Sequence, residues 1–411
     1  MLSHETRLVT APVSSVRVSV EPAQPLPTPK GRGRPCITPV TGLHGSEALL
    51  RGESTSGLTP GAATAVVVQV EDVDGRVGLG TAGTGHPACV PAVEQLAGLL
   101  VGREPADVEL LWETMYRATI NVGWRGVVLH AISALDIGVW DLLGKQLGVP
   151  LHDLLGGRVR PSMPAYASWL YATEDLDDLA AEARGWVEAG FGAVKQRLAY
   201  GPADGLRGIR KNVELVRTVA EAAGPDVDVM ADAYMGWDVP YAIRCIRAIE
   251  DAGIRLRWLE EPVIPDDIRG YARIRAAVDT PISGGEHEGT RYGFRDLVTA
   301  EAVDVLQPDV NRMGGITEAR RVWALGETFG LEVVAHIGAA HNLHLSISSH
   351  ATPYVEYMPP PKEGARPDED QLFWLLFPDE PRAVGGHVEP TGRPGLGITL
   401  DERMLAEPAH A

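Results

Sequence analysis

Three acidic residues close strand-like stretches in the second half of the chain. Asp232 ends VDVMAD, Glu260 ends RWLE and Glu286 ends PISGGE. If these stretches are successive strands of a parallel barrel, their carboxyl ends meet at one mouth. Three carboxylates at one mouth would repel one another and stay partly protonated unless a cation neutralised them. Because Mg²⁺ prefers oxygen ligands and leaves coordination positions for a substrate, the pattern predicts a magnesium site formed by the three acids.

The next two strand-like stretches predict an acid-base pair. Asp309 closes VDVLQPD and His336 closes EVVAH. Neighbouring strands lie about 4.8 Å apart, so the aspartate can orient the imidazole and raise its basicity. His336 is therefore the candidate general base, with Asp309 as its partner.

Charged residues of two further stretches complete the candidate site. Lys195 and Arg197 lie two positions apart in AVKQRL, so their side chains face the same way. They can neutralise charge on a substrate carboxylate or an enediolate, and Lys195 can also support a metal ligand. Glu356, in PYVEYM, can donate a hydrogen bond to that carboxylate if it stays protonated. We expect all three side chains at the barrel mouth.

The elements that must position these residues form an α/β fold. After Gly157, eight short β-like stretches alternate with amphipathic helical ones: AYAS, AVKQRL, VDVMADAY, RWLEEP, PISGGE, VDVLQPDV, EVVAHI and PYVEYM. This alternation predicts a parallel, TIM-like (β/α)7β barrel. Before the barrel, the pattern of residues 11–90 predicts a small antiparallel sheet that carries a long loop, and the pattern of residues 91–147 predicts helices. We therefore expect an α+β capping domain with a lid loop at 1–155, the barrel at 156–369, and a C-terminal tail at 370–411 that packs on the capping domain.

Composition excludes several classes of function. The chain has 411 residues, of which 45% are hydrophobic and 22% charged, as expected of a globular protein with a large core. A formal net charge of −18 disfavours binding to nucleic acid and to anionic membranes. The three cysteines are far apart and form no C-x-x-C pair. With neither a signal sequence nor an apolar run of membrane-spanning length, we expect a cytoplasmic protein.

The quoted residues, in this order and spacing, resemble the mandelate racemase branch of the enolase superfamily from about Gly61 to the C-terminus. The similarity includes AISALDIGVWDLLGKQLGVPLHDLLGG, K-x-R, ADAY, WLEEP, GGEHE, QPDVNRMGG and His336. Within that branch the chain is most similar to the L-rhamnonate dehydratase group, as indicated by YGPADG, RKNVE, DVPY, RYGF and VEY.

The resemblance implies an activity and roles for individual residues. It implies Mg²⁺ on Asp232, Glu260 and Glu286, acid-base work by His336 with Asp309, and substrate contact by Glu356. His287 matches a further active-site position. The expected enzyme is a hydro-lyase that removes the α-proton of a sugar acid and expels its β-hydroxyl, giving a 2-keto-3-deoxy acid. The family also implies a symmetric homo-oligomer.

One departure from the family pattern bears on the reaction. Racemases that use two bases have K-x-K where this chain has Arg197, and arginine is a poor proton shuttle because its pKa exceeds about 12. A single base favours dehydration. A racemase or epimerase remains an alternative, as does a barrel without catalytic activity. The Pro-rich segment 21–40 is the candidate lid, with His44 as a candidate substrate contact.

Overall fold

The computed structural model describes residues 10–20, 24–25, 37, 39, 62–63, 65–82, 87–362 and 371–405. Most of the predicted lid segment 21–40 lies outside these residues. His44 also lies outside them, so its predicted contact with substrate stays a prediction. The boundaries of the three domains likewise remain predictions.

The N-terminal part of the chain combines an antiparallel sheet with helices, as predicted. Three strands pair in the order β1-β4-β5, and two short strands, β2 and β3, pair with each other. The strands are β1 (Val13–Val20), β2 (Gln24–Pro25), β3 (Ala62–Ala63), β4 (Val66–Asp72) and β5 (Val77–Ala82). The helices are α1 (Cys89–Ala97), α2 (Val108–Thr119), α3 (Val127–Leu147) and α4 (Leu151–Leu154).

Helix α3 is the central helix of this part. It is long and apolar enough to cross a membrane by length and composition, but 83% of its most apolar window is buried inside the protein. It packs directly on β5, where a Cβ atom at Gly80 would lie 1.9 Å from the carbonyl oxygen of Ala134. Glycine at this strand position therefore permits the close approach of helix and sheet.

We expect Gly80→Ala to destabilise the protein by about 1–3 kcal/mol, because the added methyl group overlaps helix backbone that cannot rotate away. Gly98→Ala is the matched control, since Gly98 has a helical φ of −61° and open space where a Cβ would lie. Urea unfolding of both variants measures the difference. Equal stability of the two would contradict this account of the packing.

Eight parallel strands form the barrel, which confirms the predicted fold class. They are β6 (Met163–Leu170), β7 (Ala193–Arg197), β8 (Asp228–Asp232), β9 (Leu259–Glu260), β10 (Ile282–Gly284), β11 (Val305–Leu306), β12 (Glu332–Val333) and β13 (Val355–Tyr357). The intervening helices are α5 (Leu176–Glu188), α6 (Gly205–Ala223), α7 (Val239–Asp251), α8 (Ile268–Arg275), α9 (Thr290–Thr299), α10 (Gly315–Phe329) and α11 (Ala340–Ile347). Strand order runs from β12 down to β6 and then to β13, so the first and last barrel strands are neighbours.

The inside of the barrel changes from apolar to charged along the strands. A buried apolar layer closes its lower part, formed by Tyr166, Ala193, Met230, Trp258, Val305 and Val334. Two positions further along a strand the side chain returns to the same face. At those positions β7, β8 and β9 carry Lys195, Asp232 and Glu260. The apolar layer thus supports a charged layer at the carboxyl ends of the strands.

The C-terminal part contacts both the barrel and the N-terminal part. It contains α12 (Leu372–Leu376) and β14 (His387–Val388), and β14 pairs antiparallel with β6. Further on, the backbone N–H of Leu396 donates to the buried Asp141 carboxylate of α3 at 2.6 Å. Residues 371–405 therefore join the two larger parts of the chain.

Candidate active site

His336 and Asp309 form a hydrogen-bonded pair at the barrel mouth. The Nδ1 atom of His336 lies 2.9 Å from the Oδ2 atom of Asp309. On the other side of the ring, Nε2 lies 3.3 Å from the Oε2 atom of Glu286. Burial lowers the pKa of His336, but the charge of Glu286 and the hydrogen bond to Asp309 outweigh burial and raise it to about 9. The pair thus has the geometry of an oriented base whose second nitrogen points toward the acidic residues.

Lys195 lies between two buried carboxylates. Its Nζ atom is 2.6 Å from Oε1 of Glu260 and 2.8 Å from Oε1 of Glu356. Burial alone would lower the pKa of Lys195, but these two negative charges raise it well above its ordinary value, so the ammonium keeps its proton. The second oxygen of Glu260 accepts a hydrogen bond from Nε2 of Gln307 at 2.8 Å. Lys195 is therefore a fixed positive charge within the site.

The three predicted metal ligands are all buried at this mouth. Asp232 and Glu260 are register partners on β8 and β9, and Glu286 follows β10 by two residues. Burial raises the pKa of Glu260 to about 7, and repulsion from Asp232 adds to that rise although Lys195 opposes it. Burial also raises the pKa of Asp232. The pKa of Glu286 instead falls to about 2, because the charges of His336, His287 and Arg312 outweigh burial. Ionising Asp232 and Glu260 together therefore requires more positive charge than the described residues supply to them.

The donor set fits a hard divalent cation. Buried carboxylates in this region are Asp232, Glu260, Glu261, Glu286, Asp309 and Glu356. The permanently charged cations beside them are Lys195, Arg197 and Arg312. Among the residues that the structure describes, these acids outnumber the permanently charged cations two to one, and the carboxylates supply the oxygen ligands that Mg²⁺ prefers. The residues present therefore fit a magnesium ion, with Asp232, Glu260 and Glu286 as the ligands that we predict.

The tightest group of potential ligand atoms differs from that predicted set. Within the described ranges, the group of potential ligands whose atoms all lie within 4.8 Å of one another consists of Glu261, Glu286 and His287. Glu286 belongs to both sets, whereas Asp232 and Glu260 do not belong to this group. The identity of the metal ligands consequently stays a prediction.

Arg312 binds two acids of the site, although no role was predicted for it from the sequence. Its Nε atom lies 3.0 Å from Oδ2 of Asp309, and one of its terminal nitrogens lies 3.2 Å from Oε1 of Glu286. Both ion pairs are largely shielded from solvent, because only 12% of the Arg312 side chain is exposed. The sequence did offer one indication of this role, since Arg312 lies only three positions after Asp309. Arg312 thus joins Asp309, the partner of His336, and Glu286, the third predicted metal ligand, in one ion-pair network.

His287 and Glu261 form a second histidine-carboxylate pair. The Nδ1 atom of His287 lies 2.9 Å from Oε2 of Glu261 and 3.5 Å from Oε1 of Glu286. Burial lowers the pKa of His287, but the charges of Glu261 and Glu286 outweigh it and raise that pKa. With 26% of its side chain exposed, His287 is the more open of the two paired histidines. Its place beside Glu286 agrees with the expected substrate contact, which remains a prediction.

Arg197 stands at the same mouth, against an aromatic ring. Its guanidinium lies 4.9 Å from the ring centre of Tyr171. It is the register partner of Asp232, and its charge lowers the pKa of that acid while burial raises it. Arg197 therefore supplies positive charge to the acidic cluster, and its high intrinsic pKa makes it unsuited to accept a proton.

Glu356 is held as a hydrogen-bond acceptor. Its Oε2 atom accepts the backbone N–H of Ile337 at 2.6 Å. Although burial raises the pKa of Glu356, the charges of Lys195 and His336 outweigh it and hold the pKa well below its usual range. The protonated donor considered from the sequence is therefore not the form that these surroundings favour. The expected contact of Glu356 with substrate stays a prediction.

Both halves of the chain match family profiles. Residues 49–156 match the profile described as "Mandelate racemase / muconate lactonizing enzyme, N-terminal domain". Residues 178–404 match the profile described as "Enolase C-terminal domain-like", which covers more than half of the chain.

Individual relatives agree with these matches. The L-rhamnonate dehydratase of Saccharopolyspora erythraea is 39% identical over 343 residues, which is 82% of this chain and 84% of the relative. The crystal structure of rhamnonate dehydratase from Gibberella zeae complexed with Mg is similar with a TM-score of 0.79 and 30% identity, covering 97% of each chain. A racemase from Streptomyces coelicolor A3(2) with bound magnesium is similar with a TM-score of 0.77 and 29% identity, covering 96% of this chain and 100% of that one. The chain therefore belongs to the enolase superfamily, in its mandelate racemase and muconate lactonizing enzyme family.

Proposed function

We propose that this enzyme is a magnesium-dependent acid-sugar dehydratase with an activity like that of the L-rhamnonate dehydratases. The single observation that carries the proposal is the placement of His336, which is bonded to Asp309 through Nδ1 and turns Nε2 toward the acidic cluster. The name of the Saccharopolyspora erythraea relative supports dehydration, the reaction of a hydro-lyase. Its substrate is then a small sugar acid.

The proposed reaction begins with proton removal at the α-carbon. His336 in its neutral form accepts the α-proton at Nε2, while the Nδ1–H donates to Asp309 and fixes the tautomer. The electron pair of the broken C–H bond moves into the carboxylate, giving an enediolate. Lys195 keeps a positive charge close to the developing negative charge. Asp232, Glu260 and Glu286 would hold the Mg²⁺ ion, which when bound supplies a Lewis acid for the substrate carboxylate.

The second half of the reaction returns the same proton. The C–O bond to the β-hydroxyl breaks, and His336 gives its proton to the departing oxygen, so that water leaves. The resulting enol tautomerises to the 2-keto-3-deoxy acid. One base is sufficient for both steps. Arg197, at the position where two-base racemases have lysine, is a poor proton acceptor, which favours this one-base reaction.

Racemisation or epimerisation is the second candidate function. The observation that favours it is the similarity to a Streptomyces coelicolor A3(2) racemase, together with His287, a second paired histidine next to the site. If His287 reached the opposite face of the α-carbon, it could return a proton there. A product of inverted α-configuration without a new keto group would identify this reaction.

Activity should rise with pH through the pKa of His336, because only the neutral imidazole accepts a proton. Asp309 raises that pKa, so Asp309→Asn should move the rising limb of kcat/KM to lower pH and also reduce the plateau. Profiles of both enzymes at one saturating Mg²⁺ concentration test this shift. A limb that kept its position or moved to higher pH would contradict the assigned role of Asp309.

A substrate screen tests the proposed function. The purified enzyme is incubated with a panel of aldonic and aldaric acids, including L-rhamnonate, with Mg²⁺ present, and formation of 2-keto acids is followed by semicarbazone absorbance. We expect turnover of at least one acid sugar. Lack of keto-acid formation across the panel would argue against the dehydratase assignment.

We also propose a cytoplasmic location and a homo-oligomeric state, the latter from the family resemblance alone. Binding of nucleic acid or membrane is not expected, because the net charge of −18 repels both. Size-exclusion chromatography with light scattering measures the oligomer size directly. A monomer at micromolar concentration would contradict the proposed assembly.

A further inference from the structure

The backbone immediately after His336 is strained. Ile337 has a φ of +65°, in the left-handed region that a β-branched residue rarely adopts. Helix α11 then starts at Ala340, so three residues connect the candidate base to the helix. Such a conformation persists only when its surroundings hold it in place. The contacts that hold this connection therefore help to fix the position of His336.

Asn342 makes the contacts best suited to hold the connection between His336 and α11. It lies in the first turn of α11 and is 2% exposed. Its Nδ2 atom lies 3.0 Å from the carbonyl oxygen of His336 and 2.7 Å from that of Ile337. The two hydrogens of one side-chain amide thus bind two successive carbonyl groups, one belonging to the base itself. An amide group has the donors for this arrangement, whereas a carboxylate has none.

Two carboxyl groups hold N–H groups at the two ends of this connection. Glu356 accepts the N–H of Ile337 at 2.6 Å, and Glu380, buried in the C-terminal part, accepts the N–H of Ala340. These acceptors bind N–H groups, and Asn342 binds the carbonyl groups. Asn342 and Glu356 thus hold the two peptide units that flank Ile337, and Glu380 holds the start of α11.

We propose that Asn342 is a positioning residue for His336, setting the ring position that proton abstraction requires. The inference rests on the proposed function, since it assumes that His336 is the base. Within the described part of the chain, the side chain of Asn342 hydrogen-bonds to backbone carbonyl groups and not to the predicted metal ligands. Its loss should therefore affect the chemical step more than substrate or metal binding.

The test uses two variants of Asn342 and two controls on the same helix. Asn342→Ala removes both donors, and Asn342→Asp keeps the shape but places an acceptor against two carbonyl oxygens. Ser346→Ala and Ile347→Val change buried positions of α11 whose side chains make no hydrogen bond to residues 336–340. Both Asn342 variants should lose about 10- to 100-fold in kcat, with KM and the Kd for Mg²⁺ within about twofold of wild type. The controls should retain the wild-type kcat.

A second readout does not depend on activity. Hydrogen-exchange mass spectrometry should show faster exchange of the backbone amides of residues 336–340 in Asn342→Ala than in wild type or Ser346→Ala. Circular dichroism establishes that each variant is folded. Unchanged exchange in this segment, or an unchanged kcat in folded Asn342→Ala, would overturn the inference. A wild-type enzyme that dehydrates no acid sugar would instead overturn the proposed function, and the exchange result would still decide whether Asn342 orders the segment.

Discussion

Replacing His336 with asparagine should lower kcat by about 10²- to 10⁴-fold, the usual contribution of a general acid or base. Asparagine keeps an amide N–H near the position of Nδ1 but lacks Nε2, so it cannot accept the α-proton. The effect should be among the largest of any single substitution, because the same imidazole works in both halves of the reaction. Binding of Mg²⁺ should persist, since the predicted ligands are unchanged. Steady-state kinetics and calorimetric Mg²⁺ titration measure the two properties on one preparation.

His350→Asn is the control for this substitution. His350 is exposed and follows α11, away from the mouth, so its replacement should leave kcat unchanged. A His336→Asn variant with activity close to wild type would mean that another residue takes the proton. His287 would then become the first candidate, because it too is paired with a carboxylate.

Removing the metal should abolish turnover, and so should replacing one of its predicted ligands. After treatment with a chelator, we expect activity to fall by at least about 10³-fold, as expected from loss of the main electrostatic stabilisation of an enediolate. Readdition of Mg²⁺ should restore activity. Asp232→Asn should abolish both the activity and the rise in Tm that Mg²⁺ binding to the native state produces.

Asp228→Asn provides a matched control on the same strand. Asp228 stands at the opposite end of β8, where it accepts a hydrogen bond from the hydroxyl of Tyr354 at 2.9 Å. Its replacement should leave the Mg²⁺ response intact. If Asp232→Asn retained that response while Glu261→Gln lost it, the ion would belong to the group of Glu261, Glu286 and His287 instead.

The fold could be predicted because its signals are local in the sequence. Each of the eight β-like stretches overlaps a strand, and β7 to β9 carry their charged residues at the predicted ends. Glu286, Asp309 and His336 instead follow the ends of β10, β11 and β12 by two or three residues. Gly330 ends α10 with a φ of +68°, as glycine at a helix C-terminus predicts. Alternating strands and helices determine which strands are neighbours, and therefore placed Asp309 near His336.

Contacts across the barrel and within its loops could not be derived in the same way. Lys195 bridges Glu260 and Glu356, residues of β9 and β13, neither of which pairs with β7. Only the length and direction of the lysine side chain decide that contact. Glu261 has a φ of +40°, a backbone turn that no sequence pattern indicated, and from there it binds His287. The network around Arg312 and the bonds of Asn342 likewise depend on loop paths rather than on residue spacing.

The most direct test follows an acid sugar of the active panel by ¹H NMR in D₂O with enzyme and Mg²⁺. We expect a 2-keto-3-deoxy acid, with no accumulation of substrate whose α-carbon is inverted, because His336 serves a single face. Accumulation of the inverted, α-deuterated acid without any keto product would contradict it.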